Sequence, residues 1–177
     1  MSDTGWLNPA VVTTDNSIGS IDWTDPENAD ALDGSYASVL LGDSENSYYL
    51  AANDYHADIP EGTVPVGIEV RIVRNADSVD VIRDNRLYVG LAAGDSSNLS
   101  DAAYWPTSDA AQLYGGAADL CGLTPTRDDV NNSTFGVWLQ VVADGGAGVT
   151  ANVDNIQVRI TFEEAVAANT TNFFQFI

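Results

Sequence analysis

The chain has 177 residues, a length that usually forms one domain and removes roughly 70% of its unfolded surface from water. Its 26 acidic residues stand against six arginines and no lysine, for a formal charge of −20, and such a surface repels nucleic-acid backbones and anionic lipid. A single cysteine, Cys121, excludes a disulfide framework, no apolar run nears the ~20 residues of a membrane span, and the opening Met1–Trp6 does not read as a signal peptide.

Residues 1–31 read as an N-terminal arm with an irregular first strand. Pro9, Gly19 and Pro26 punctuate it, and only Ala10–Val12 is extended. Asp33-Gly34 signals a turn, followed by short strands at Tyr36–Leu41 and Tyr48–Ala51 around the polar Gly42–Asn46. Ala57–Gly62, with Pro60, is a connection into a long strand over Val64–Arg74. Val66–Ile72, Phe135–Val141 and Ile156–Phe162 alternate apolar and polar residues, the period that sends side chains to opposite faces of a sheet. Asp84-Asn85 predicts a two-residue type I′ hairpin turn that places Arg83 opposite Arg86. These arginines form a rare basic spot, with guanidinium forks suited to a partner's carboxylates.

Gly94–Asp119, around Ala103-Tyr-Trp-Pro106, predicts a long surface loop or a short helical turn. Asp144–Gly148 is a glycine-rich turn, and Val149–Phe162 holds the last strand or pair of strands. About eight short strands with polar turns predict an all-β fold, a jelly-roll-like β-sandwich with extended N- and C-terminal arms and its sandwich over residues 32–162. Residues 163–177 form a tail that loses alternation and ends in Phe173, Phe174, Gln175, Phe176 and Ile177. Burying each large apolar group is worth roughly 1.5–3 kcal/mol. Such a tail folds back on its own domain or docks on a neighbouring subunit.

No catalytic set is visible. His56 is the only histidine and has no nucleophile motif beside it. Gly42-Asp-Ser44 matches the start of a lipase-like block but lacks the histidine that chemistry needs near the C-terminus. Zinc requires clustered Cys and His. Arg127–Asn132 and Asp95–Asn98 offer hard oxygen ligands without EF-hand spacing, so turn chemistry accounts for them. Among 26 acids any glycosidase pair can be drawn, so none is singled out. No catalytic residue, metal ligand or cofactor is assigned. Trp138 is expected in inter-sheet packing, whereas Trp6, Trp23 and Trp105, in irregular segments, line a contact surface. Cys121 reads as a small buried apolar residue.

Trp6-Leu-Asn-Pro9, Asp33-Gly-Ser-Tyr-Ala37, Val66-Gly-Ile-Glu-Val70, Tyr114-Gly-Gly116 with Asp119-Leu-Cys-Gly122, Phe135-Gly-Val137 and Val153-Asp-Asn-Ile156 occur in an order that resembles a group of tailed-bacteriophage virion proteins. The similarity spans about residues 6–162 and departs at Cys121, where such proteins often carry tryptophan. The resemblance implies a jelly-roll-like sandwich with a structural role and no active site. The expected function is that of a capsid decoration, or cement, protein on the outer capsid surface of the virion, a homotrimer that joins neighbouring subunits of the major capsid protein. Nucleic acid and membrane are not expected partners. Trp6, Arg83, Arg86, Phe173, Phe174, Phe176 and Ile177 are the expected contact residues. The alternative is a tail or baseplate adsorption module that binds host carbohydrate through exposed aromatics.

Overall fold

The computed structural model describes residues 1–146 and 148–166. In chain order its strands are β1 (Ser2–Asp3), β2 (Val11–Asp15), β3 (Ala37–Leu41), β4 (Tyr49–Asn53), β5 (Thr63–Ala76), β6 (Ile82–Gly90), β7 (Ala110–Gly116), β8 (Gly136–Ala143) and β9 (Val149–Glu164). A short 3-10 helix, Pro26–Asp30, and α1 (Arg127–Val130) are the helical pieces. All strand pairs are antiparallel. Sheet A is built on β9, which pairs with β5 along one side and with β3 and β1 along the other, while β7 extends β5. Sheet B runs β2-β4-β8-β6. The fold is an all-β, jelly-roll-like sandwich.

Alternation explains why the sheets face each other. Ile68, Val70 and Ile72 of β5 and Ile156, Val158 and Ile160 of β9 point inward from sheet A. Leu87 and Val89 of β6 and Val137, Leu139 and Val141 of β8 meet them from sheet B, all fully buried. Each such side chain contributes about 1.5–3 kcal/mol by leaving water.

The segments that carry the sequence resemblance fasten this sandwich. Leu7 and Val158 exchange backbone hydrogen bonds of 2.8 and 3.1 Å, and Asn8 Oδ1 accepts from Gln157 Nε2 at 2.7 Å. Asp154 Oδ1 accepts from the backbone N–H groups of Asp33 (3.2 Å) and Gly34 (3.1 Å), tying two distant motifs together. Gly115, at φ +70°, lies where a Cβ would collide with the Ile68 carbonyl, so β5 and β7 close only around a glycine. Gly115→Ala is therefore expected to lower stability in urea denaturation by more than Gly94→Ala. Gly94 also has positive φ (+92°) but has open space around it, which leaves backbone strain of about 1 kcal/mol as its main cost.

Four expectations change. Asp84-Asn85 is no hairpin turn. β6 runs through it as one strand, with a register shift between Asp84 and Arg86 that turns Asp84 into the core. Local turn propensity yields there to partners inside the sandwich. β7 forms within the stretch expected to be loop, although Ala110–Gly116 contains no β-branched residue, because β5 offers it a complete pairing edge. Arg127–Val130 is helical because Thr126 and Asp129 make a reciprocal capping box. Residues of the expected N-terminal arm enter both sheets, β1 against β9 and β2 against β4. Phe173, Phe174, Phe176 and Ile177 lie outside the described residues.

Candidate binding face

The strongest charge cluster is sealed inside the molecule. Arg74 continues the inward alternation of Ile68, Val70 and Ile72 along β5, and the irregularity opposite it falls on β9, where Asp154 is left out of the pairing. Its guanidinium meets the Asp84 carboxylate and the Tyr114 hydroxyl and stacks 4.7 Å from the Trp105 ring centroid. Asp84 also accepts from Trp105 Nε1 (2.8 Å), Tyr114 Oη (2.8 Å) and the Asp101 backbone N–H (3.0 Å). Burial, with the Asp84 charge next in weight, pushes the Tyr114 hydroxyl pKa well above its ordinary value. This cluster joins the sheets and gives no ligand access. Cys121 is equally enclosed, and burial pushes its thiol up to about 12.

The outer face of sheet A is polar and internally paired. Arg159 forms a two-pronged contact with Glu69 at 2.7 and 2.8 Å, and Arg71 bonds Gln157. Trp6 lies over both guanidinium groups, 4.6 Å from each Cζ. Trp6 is thus half-buried on its own domain, held by cation–π contacts. Arg83 pairs with Asp144 (3.0 Å from Nη2), which raises its pKa. Arg86 is exposed on sheet B. The structure therefore separates Trp6 from the two arginines by the thickness of the sandwich.

The outer face of sheet B is different. Trp138 is on it and not between the sheets, because Val137, Leu139 and Val141 take the inward positions of β8. Trp138 pairs across the sheet with Ala51 and Tyr88. With Tyr49 these form a cluster separate from the main core, against which Ile18 and Ala93 pack. Tyr49 and Tyr88 meet edge to face at 6.3 Å, and burial raises the Tyr49 hydroxyl pKa against the opposing pull of nearby Arg86. Trp23 and Trp105, expected on the surface, are buried. Their indole N–H groups donate to the Tyr48 carbonyl (3.0 Å) and to Asp84.

At one end of this face the surface dips into an open groove of about 400 Å³. Trp138 contributes to its lining with Asn53, Asp54, Ser133 and Thr134, and Val11 and Leu91 supply aliphatic edges. Val11 is 47% and Leu91 37% exposed. The cross-strand pair Gly90 and Gly136 shapes this end. A Cβ on Gly136 would collide with the Asn53 amide, which donates to the Thr134 carbonyl at 3.1 Å. Beyond Asn53 the backbone takes positive φ at Asp54 (61°), His56 (48°) and Asp58 (46°), while Tyr55, Ala57 and Ile59 are buried between them. Asp and His tolerate that conformation better than most side chains. The alternation within Phe135–Val141 already places Trp138 opposite its aliphatic neighbours. The polar lining comes from separate loops and has no comparable sequence signal.

Among the described residues no group of three or more His, Cys, Asp or Glu side chains is placed to hold a metal ion, and no helix is long and apolar enough to cross a membrane.

No protein-family model matches the chain, and no curated protein matches it. Among solved structures it is similar to the CBM36-1 domain of a multidomain xylanase from the hindgut metagenome of Trinervitermes trinervoides, with 10% identity, a TM-score of 0.37 and coverage of 90% of this chain and 96% of that one. A CBM4 structure gives 18% identity, TM-score 0.36 and coverage of 90% and 94%. The N-terminal cellulose-binding domain of Cellulomonas fimi β-1,4-glucanase C gives 14%, 0.33, and 93% and 91%. Likeness at this level decides neither ligand nor activity.

Proposed function

We propose that this domain is a non-catalytic binding module that takes carbohydrate on the outer face of sheet B. The groove itself supports the reading. Trp138 supplies an aromatic surface in a dip whose other lining is an amide, a carboxylate and two hydroxyls, with aliphatic edges at Val11 and Leu91. A sugar presents apolar C–H faces and a ring of hydroxyls, and a site combining an apolar floor with a few convergent polar groups matches both. Pull-down on a panel of insoluble polysaccharides tests it. At least one is expected to retain the protein and release it to soluble oligosaccharide, with or without chelator. Failure on every polysaccharide contradicts the reading.

A second reading, a decoration protein on a virion's outer capsid surface with the major capsid protein and copies of itself as partners, is favoured by β7. This edge strand carries no charged residue on a chain of formal charge −20, and Leu113 on it is 56% exposed. Uncharged edges are the ones that pair with other chains. Sedimentation is expected to show a trimer that Leu113→Glu weakens, and immunogold labelling to mark particle heads. A monomer at all concentrations together with unlabelled heads contradicts this second reading.

A further inference from the structure

The groove beside Trp138 is not isolated. Leu91 also lines a second depression of about 190 Å³, formed by Gly90, Phe135, Leu123, Thr124 and Pro125 with the carboxylates of Asp95 and Asp129. Leu91 is therefore a shared ridge, with Trp138 lining one side and the buried Phe135 underlying the other. The Gly90–Gly136 pair lies beneath it. A Cβ on Gly90 would come within 2.7 Å of Asp95 Cβ, so the second depression keeps its present shape only around a glycine. Asp95 Oδ2 is already engaged by the N–H groups of Leu91 and Ala92, each at 2.8 Å. Asp129 Oδ2 is held by Thr126. Both carboxylates are thus fixed features of the wall.

Charge narrows the ligand further. Asp54 lines the first depression and Asp95 and Asp129 the second, and no arginine lines either. A uronic or sulfated sugar would meet carboxylates without a compensating cation, on a chain of formal charge −20, and like-charge juxtaposition of this kind excludes partners. We infer that the two depressions are consecutive subsites for one chain of uncharged sugars lying across Leu91, with acidic glycans excluded. This inference rests on the carbohydrate reading above.

Calorimetric titration with a length series of neutral oligosaccharides tests it, using the full chain and the variant Thr124→Trp. Thr124 is exposed, so the bulky substitution fills the second depression without entering the core. Affinity is expected to rise about tenfold or more from disaccharide to hexasaccharide, the equivalent of ~1.4 kcal/mol. Thr124→Trp is expected to bring the hexasaccharide down to the disaccharide's affinity with a native circular dichroism spectrum retained. Acidic hexasaccharides are expected not to bind at 50 mM salt. Binding that ignores both length and Thr124→Trp overturns the two-subsite inference and leaves the carbohydrate reading standing. Acidic chains binding as tightly as neutral ones overturn it too. If no neutral oligosaccharide of any length binds, the carbohydrate reading itself falls and this inference falls with it.

Discussion

Replacing Asp84 with alanine is expected to destabilise the fold by about 3–5 kcal/mol, the usual cost of leaving one partner of a buried ion pair alone. The Asp84 carboxylate receives Arg74, Trp105 Nε1, Tyr114 Oη and the Asp101 N–H. Removing it strands a buried guanidinium whose Nε already has no hydrogen-bond partner. For a domain of ordinary stability, about 5–15 kcal/mol, the loss is roughly a fifth of the total or more. Urea denaturation measures it. The double replacement of Arg74 by methionine and Asp84 by leucine is expected to recover most of the loss, since an apolar pair of similar volume removes both charges together. A loss under ~1 kcal/mol for Asp84→Ala would mean that water reaches the cluster and that it does not seal the sheets.

The second large effect concerns binding. Trp138→Ala is expected to weaken the best neutral glycan by about 30-fold or more, near the 2 kcal/mol that marks an interface hot spot. Trp138 is only 7% exposed and packs on Tyr49 and Ala51, so truncation also costs stability. Trp138→Phe keeps an aromatic surface and is expected to retain intermediate affinity with a native circular dichroism spectrum. Trp6→Ala, on the opposite sheet, is expected to leave glycan affinity unchanged. Equal affinity for Trp138→Ala and the unaltered protein would remove the groove from the account.

Much of the sandwich was legible in the chain because alternation is a local signal. Val66–Ile72, Phe135–Val141 and Ile156–Phe162 lie on β5, β8 and β9, except for Phe135 just before β8, and the aliphatic residues in phase with Ile68, Val137 and Ile156 point inward. What misled was local chemistry overruled from a distance. Asp84-Asn85 has the composition of a turn, yet Asp84 finds four partners inside the sandwich, three of them on other segments far along the chain. β7 has weak strand composition and is defined by β5 beside it. The candidate site was half legible. The alternation that sets Trp138 against its aliphatic neighbours was in the chain, yet the size of Trp138 suggested core and so a place between the sheets. Asn53 at the end of β4 and Leu91 and Thr134 from loops meet on one rim only through folding. The familiar motifs, by contrast, turned out to be fastenings such as Asp154 on Asp33 and Gly34. They speak to the fold and leave function to the surface.

Two-dimensional NMR of the four tryptophan indole N–H signals, followed during addition of a neutral oligosaccharide, tests most directly that the outer face of sheet B is where ligand sits. The Trp138 signal is expected to shift in a saturable way while those of Trp23 and Trp105, bonded inside the sandwich, stay in place. Saturable shifts confined to Trp6, or no shift with any glycan that the protein retains, would contradict it.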